Sequence, residues 1–407
     1  MTQTTHSSPS LLRLTGIPYF VIAFGARLPF AMMVVGVLTM VVTIRGSLSL
    51  GGLTSAAVGL GTALFGPLLG AAADRWGQRP VLLMCAALNA AMLAVFALVV
   101  YMPLADAVIL ASAFMIGATA PQVSPMSRSR LVTIIAERMP QAQRARTTSA
   151  TMSYESAADE TVFVFGPFLV GILASFIAPW APIAIASALT LLFVGAFALH
   201  PTGRHVSVER DIDGRAPSAV SELFRPALLA VVVGIFGIGL FFGASLTALT
   251  SFMADRDAAE QAGLLYGVMG VGSAVLALGV AWLPPRFTLH ARWIAFAAVL
   301  VAGSALFATA TSVITMVVAL ALVGIGVGPT IVTQYSLGAA RSPLGRSATV
   351  MTMLGSGVVV GQALAAAVTG AVADGPGTPV ALLLPLVAAS IVLVAGVVNR
   401  IISPRHH

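Results

Sequence analysis

The sequence predicts an all-α membrane protein of twelve transmembrane helices in two six-helix halves, and three observations carry that prediction. Apolar residues make up 58% of the 407 positions and charged residues only 9%, with a mean hydropathy of +0.99. So little charge cannot clothe a soluble surface of this size. Apolar runs of about 18 to 27 residues recur along the whole chain, each able to cross about 30 Å of hydrocarbon at about 1.5 Å per residue. Backbone polar groups in lipid must pair within their own segment, which makes these runs helices. The basic residues, finally, fall almost entirely in alternate connections, as a fixed orientation in a bilayer requires.

Taken in order, the runs occupy residues 17–43, 54–73, 81–102, 107–127, 147–176, 182–199, 228–253, 262–283, 293–310, 313–337, 348–373 and 380–402. All 21 basic residues are arginine. Counted from an N-terminus on the cytoplasmic side, all of them except Arg27, Arg45 and Arg256 fall on cytoplasmic connections or termini. Missing one span would scramble that split, so both termini are expected in the cytoplasm of a multi-pass plasma-membrane protein. The net charge of +7 is spread between apolar runs and not gathered on one face, which argues against nucleic acid as a partner. The polar first sixteen residues and the long run after them do not suit a removable signal peptide. Cys85 lies inside an apolar run and reads as a core residue, which excludes a disulfide framework. The histidines (His6, His200, His205, His290, His406 and His407) fall in termini or connections, so no span offers a histidine metal site.

The longest hydrophilic stretch, 200–225, carries Glu209, Asp211 and Asp213 and reads as a cytoplasmic linker between bundles 1–199 and 226–407. An internal echo supports two related halves. Ser149-Ala150-Thr151 in the fifth span returns as Ser347-Ala348-Thr349 in the eleventh, and residues 117–121 have a counterpart in 326–329. Paired halves around a site near the bilayer midplane are a plan that transporters use.

Four charges sit well inside spans: Arg27 in the first, and Glu155, Asp159 and Glu160 in the fifth. Each costs about 2.5 to 3.5 kcal/mol to insert at mid-helix. Counting from the cytoplasmic ends, Arg27 lies roughly 15 Å deep, Glu155 about 12 Å, and Asp159 and Glu160 about 18 to 20 Å. Glu155 and Asp159 share a helix face, while Glu160 points about 100° away. Arg27 is expected to pair with Asp159 or Glu160, leaving another acid to exchange a proton with a cavity. Three acids crowded near one arginine in low dielectric favour uptake of a proton near neutral pH. That proton can leave when a substrate, especially a cationic one, takes the site. A network that merely ties the first and fifth helices together is the structural alternative. Other polar residues within spans, Asn89, Gln122, Tyr154, Gln334, Tyr335 and Gln362, suit either substrate contact or bonds across helices. The 16 methionines and 20 phenylalanines suit a pliable cavity and a lipid-facing surface equally.

Between the second and third spans stands Gly70-Ala-Ala-Ala-Asp74-Arg75-Trp76-Gly77-Gln78-Arg79. It resembles the loop signature of the major facilitator superfamily, G-x-x-x-D-R-x-G-R/K-R/K, with Gln78 in place of one base. The resemblance implies that Gly70, Asp74, Arg75, Gly77 and Arg79 latch the cytoplasmic side of an outward-facing state. Asp74 can cap a neighbouring helix and pair with arginines. Gly166-Pro167-Phe-Leu-Val170-Gly171 resembles the tail of that family's antiporter motif, G-P-x-x-G-G, with Val170 where a glycine would stand. Such a pair bends a helix and lets a partner approach closely. The matching loop of the second half, near 279–286, is degenerate, with Leu283-Pro284-Pro285 where the acid would be. The fourth and tenth helices line the cavity in this family, which adds weight to Gln122, Gln334 and Tyr335.

The chain is most similar in plan to the drug–proton antiporter type. The resemblance therefore implies a secondary active transporter, exporting small amphipathic or cationic compounds against protons by alternating access. A sugar or metabolite transporter and a non-transporting membrane sensor are the alternatives. No G-x-x-x-x-G-K-S/T loop is present, so ATP is not the direct energy source. An enzyme finds no support, since HExxH is absent and Gly355-Ser356-Gly357 reads as a helix-packing surface. The expected partners are a small-molecule substrate, protons and the lipid bilayer, with no cofactor or metal and a monomeric chain.

Overall fold

The computed structural model describes residues 10–204, 218–258, 261–284 and 286–402. Glu209, Asp211 and Asp213, most of the linker, Pro285, His6, His205, His406 and His407 lie outside the described residues. Twelve helical spans are long and apolar enough to cross a membrane: α1 (Ile17–Arg45), α2 (Leu50–Trp76), α3 (Gln78–Tyr101), α4 (Asp106–Arg138), α5 (Gln141–Phe176), α6 (Ala181–Leu199), α7 (Pro226–Ala254), α8 (Leu265–Trp282), α9 (Leu289–Ala308), α10 (Val313–Arg341), α11 (Ser347–Asp374) and α12 (Thr378–Ile402). Twelve crossings bring both ends of the chain to one face, here the terminal end. Exposed Trp76 and Trp282 ring that end, and exposed Tyr101, Phe176 and Trp180 ring the other. Amphipathic aromatics of this kind sit at the two membrane–water interfaces.

The largest boundary differences from the sequence expectation lie between the fourth and fifth spans, and that of the fourth has a visible cause. The fourth span continues past 127 to Arg138, and the fifth begins at Gln141 and not at 147. Arg128 and Arg130 are buried and partnered, so they do not end the membrane helix as solvated arginines would. His290 likewise falls in the first turn of α9 and not in a connection.

Three spans are broken, α12 at residues 382–383 between helices Thr378–Ala381 and Leu384–Ile402. α1 pauses at residues 26–27 between helices Ile17–Gly25 and Leu28–Arg45, the second of which has Pro29 in its first turn. α4 pauses between Asp106–Ala118 and Val123–Arg138, with Pro121 in the gap. Pro329, in the matching stretch of α10, stays inside an unbroken helix, so the 117–121/326–329 echo is one of sequence and not of conformation. The other echo also differs in place: Ser347 opens α11, whereas Ser149 lies about two turns inside α5.

The apolar core of the second half is one continuous cluster running from Leu223 to Ala395, which Met152 of α5 joins. That of the first half is split into a cluster around Tyr19, Ala26, Met126 and Phe197 and another around Met32, Val37, Phe96 and Ile183. Arg27 and Glu155 lie between the two.

Candidate functional site

The break in α1 turns the Arg27 side chain toward α5. Its Nη2 pairs with Glu155 Oε2, and its Nε lies 2.9 Å from Asp159 Oδ1 and 3.2 Å from Ser124 Oγ of α4. One turn further along α4, Arg128 reaches the same acid through Nη2 to Oδ2 at 2.8 Å, while its guanidinium lies 4.0 Å from the Tyr335 ring of α10. Ser124 donates to Asp159 at 2.6 Å, and Ser127 donates to Glu155 at 2.9 Å and meets the Tyr19 hydroxyl at 2.8 Å. Both arginine side chains are 2% exposed and Glu155 is fully buried, but Asp159 keeps 18% exposure. Two guanidinium groups and two carboxylates thus balance one another in low dielectric. Pairing and hydrogen bonds together are what make buried charge tolerable there.

Arg128 is the site residue that sequence reasoning missed, having been assigned to a connection. Its presence changes the expected ratio of three acids to one arginine into three to two. A signal was available: Ser124, Ser127 and Arg128 recur at helical spacing, a polar stripe with one face.

Glu160 stands apart. It accepts one hydrogen bond, 2.8 Å from Ser273 Oγ of α8, and its second oxygen is buried without a partner. The expected pairing of Arg27 with Asp159 is present and that with Glu160 is not. Of the three acids deep in α5, Glu155 and Asp159 pair with arginine and Glu160 does not.

At the terminal end, Asp74 reaches from α2 to the start of α11. It accepts from the backbone amides of Ala348 at 2.9 Å and Thr349 at 2.8 Å, and from the Thr349 hydroxyl at 2.5 Å. The carboxylate caps free amides at the positive end of the helix dipole. Close approach requires Gly70: a Cβ there would lie 2.1 Å from Thr352 Oγ1 and 2.8 Å from the Ala348 carbonyl. Gly77 joins α2 to α3 at φ 89°, left-handed backbone that favours glycine.

The profile described as Major Facilitator Superfamily matches residues 19–354. The chain belongs to the major facilitator superfamily. Solved structures of the same fold include the human organic anion transporter MFSD10 (TETRAN), at 19% identity and TM-score 0.72 over 96% of this chain and 100% of that one. A bacterial homologue of the iron transporter ferroportin in its outward-facing state gives 17% identity and TM-score 0.74 over 94% and 97%. The E. coli fucose:proton symporter gives 18% and 0.64 over 94% and 99%. At these identities the likeness is one of fold. Among curated proteins none matches the sequence.

This facilitator departs from its family's loop pattern at Gln78, and the structure supplies a reason. Gln78 is fully buried, accepts from Arg130 Nε at 3.0 Å and donates to the Met126 carbonyl at 3.1 Å. A base at that position would face a second guanidinium. Arg75 and Arg79 are exposed, Arg75 lying 5.8 Å from the Trp76 ring.

The polar residues assigned to a cavity divide. Tyr335 joins the charge network, but its neighbour Gln334 is fully buried in the second half beside Gly234, with neither amide atom bonded. Adjacent helical residues point about 100° apart, so the two could not share one face. Gln122 donates to the nearby Ala120 carbonyl at the break of α4. Tyr154 packs edge-on against Phe20, Gln362 is exposed, and Asn89 ties α3 to the Ile116 carbonyl of α4. In the second motif, Gly166 packs on Ala31 of α1, while Gly171 faces open space. The α5 helix runs unbroken through residues 166–171, and Pro167 falls outside the described side chains.

Proposed function

We propose that this facilitator is a proton-coupled exporter of small amphipathic organic compounds, cationic ones included, with Glu160 as the acid that exchanges the proton. The observation that carries the reading is the isolation of Glu160. The other two acids deep in α5, Glu155 and Asp159, are held by arginine, whereas Glu160 has one serine donor and one oxygen without a partner. A buried carboxylate so poorly supported is relieved by a proton or by a positive group on a substrate. Competition between the two for one acid yields antiport. The arginine-bound acids, by contrast, are already neutralised and hold the fifth helix to the first and fourth.

A closed terminal end suits this cycle. Asp74 and the cap it forms on α11 close the terminal end, which the arginine distribution assigns to the cytoplasm of a plasma-membrane protein. Rocking of the halves about the charge network then exposes Glu160 to each side in turn. The chain works as a monomer on the proton gradient, without a cofactor. Addition of tetraphenylphosphonium, a lipophilic cation, to detergent-solubilised protein in weak buffer should release protons. Wild-type protein that binds the cation without proton release would remove the antiport reading.

A further inference from the structure

The hydrogen bond of Glu160 crosses the seam between the two halves. Its donor, Ser273, is 1% exposed and belongs to a stretch of α8 in backbone contact with α10: a Cβ at Gly328 would lie 2.1 Å from the Ser273 carbonyl. Ser273 therefore moves with the second half, and Glu160 with the first. When the halves separate at this level, the bond must break.

The hydroxyl of serine carries a single proton. Toward an ionised carboxylate it can only donate, and it serves one of the two oxygens; toward a protonated carboxyl it can donate to the carbonyl or accept from the O–H. Ionised Glu160 in the closed seam would leave a charged oxygen buried without a donor, which costs far more than a neutral one. The groups facing Glu160 do not relieve this. Asp159, its neighbour on α5, adds a like charge, and Arg27 and Arg128 are engaged by Asp159 and Glu155. Tyr266 of α8 has its hydroxyl 3.4 Å from the Phe242 carbonyl of α7, and Tyr335 of α10 lies against Arg128.

Resting on the reading of Glu160 as the proton-exchanging acid, we infer that Ser273 is a positioning residue that ties that proton to closure of the α5–α8 seam. The closed seam holds the acid in its neutral form, and loss of the proton parts α5 from α8 at the terminal end. By linkage, acid pH favours the closed arrangement.

The test is a distance measurement by electron paramagnetic resonance between spin labels at A145C and R286C, exposed near the terminal ends of α5 and α8, in a Cys85→Ala background. In full-length protein between pH 5 and 9, the short distance should dominate at acid pH and give way to a longer one as pH rises. Glu160→Gln should hold the short distance at every pH. Ser273→Ala should lower the midpoint by about half to one pH unit, the fold-change of one lost hydrogen bond. Ser273→Thr, which keeps the hydroxyl, should restore it. A midpoint unmoved by Ser273→Ala, or a pH response that persists in Glu160→Gln, overturns the inference. Should Ser273→Ala fail to fold, the Ser273→Thr midpoint and the Glu160→Gln response decide it alone. Tetraphenylphosphonium-dependent proton release from the same preparations separates the two levels. Release lost in Glu160→Gln with an unmoved Ser273→Ala midpoint sinks this inference only, whereas release retained in Glu160→Gln sinks the parent reading.

Discussion

Removing the Asp74 carboxylate should unlatch the terminal end, and the structure sets the size of the effect. Asp74 accepts two amides and a hydroxyl at the start of α11. Hydrogen bonds to a charged group contribute about 1.5 to 3 kcal/mol each when buried. Asp74 is only half-buried, and water replaces these partners when the seam opens, so the three together favour closure by about 2 to 3 kcal/mol. Asp74→Ala should therefore shift the closed-to-open ratio by roughly 30- to 150-fold. Thr352 reports the change, being fully buried on the α11 face that Gly70 touches. With Thr352→Cys as the single thiol in a Cys85→Ala background, maleimide should label slowly, and Asp74→Ala should speed labelling by at least tenfold. Asp74→Asn, which keeps one acceptor oxygen, should fall between. Equal labelling rates in all three would refute the claim that this cap holds the seam.

Other substitutions probe separate parts of the structure. Gly70→Ala should bias the protein toward the open terminal end, because its Cβ meets the Ala348 backbone as well as Thr352; the same labelling assay reads it, and Thr352→Ala should relieve it only in part. Gln78→Arg, which would complete the family pattern, should cost about 1 to 3 kcal/mol of stability through repulsion with Arg130 and loss of two buried hydrogen bonds, measured as a lower unfolding temperature. Asp159→Asn leaves two buried arginines sharing Glu155 and should destabilise by about 3 to 5 kcal/mol, whereas Glu160→Gln, breaking no ion pair, should cost less than about 1 kcal/mol. His200 lies against Tyr19 just beyond α6, and burial, followed by Arg130, pushes its pKa below the usual histidine range. Held neutral in the fold, it contributes stability that is present above about pH 6.5 and lost as pH falls. His200→Asn should flatten the fall in thermal stability between pH 7 and 5.

The fold was legible because bilayer physics leaves few options: apolar runs of this length must be helices, and the arginines fix their parity. Asp74 and its cap were also within reach, since the signature names the residue and a carboxylate suits a helix start. The inner faces of the helices were harder to see. Arginine was read as a marker of span ends, which holds for solvated residues and fails for Arg128, whose charge is met by Asp159. The pairing of Arg27 with Glu155 as well as Asp159 depends on the break in α1, and nothing near Pro29 announces where Arg27 then points. Gln334 and Tyr335 show the same limit at closer range, because adjacent positions on one helix face different neighbours. Ser273 lies 113 residues from Glu160 in the other half of the chain, and the seam that joins them exists only in the folded protein.

The central claim is that Glu160 carries the exchanged proton, and reconstituted protein tests it most directly. In proteoliposomes, wild-type protein should accumulate tetraphenylphosphonium when an outwardly directed proton gradient is imposed, with the membrane potential clamped at zero. Glu160→Gln, held closed at the terminal end whatever the pH, should lose that accumulation. A Glu160→Gln protein that accumulates the cation against its gradient as wild type does would contradict the claim.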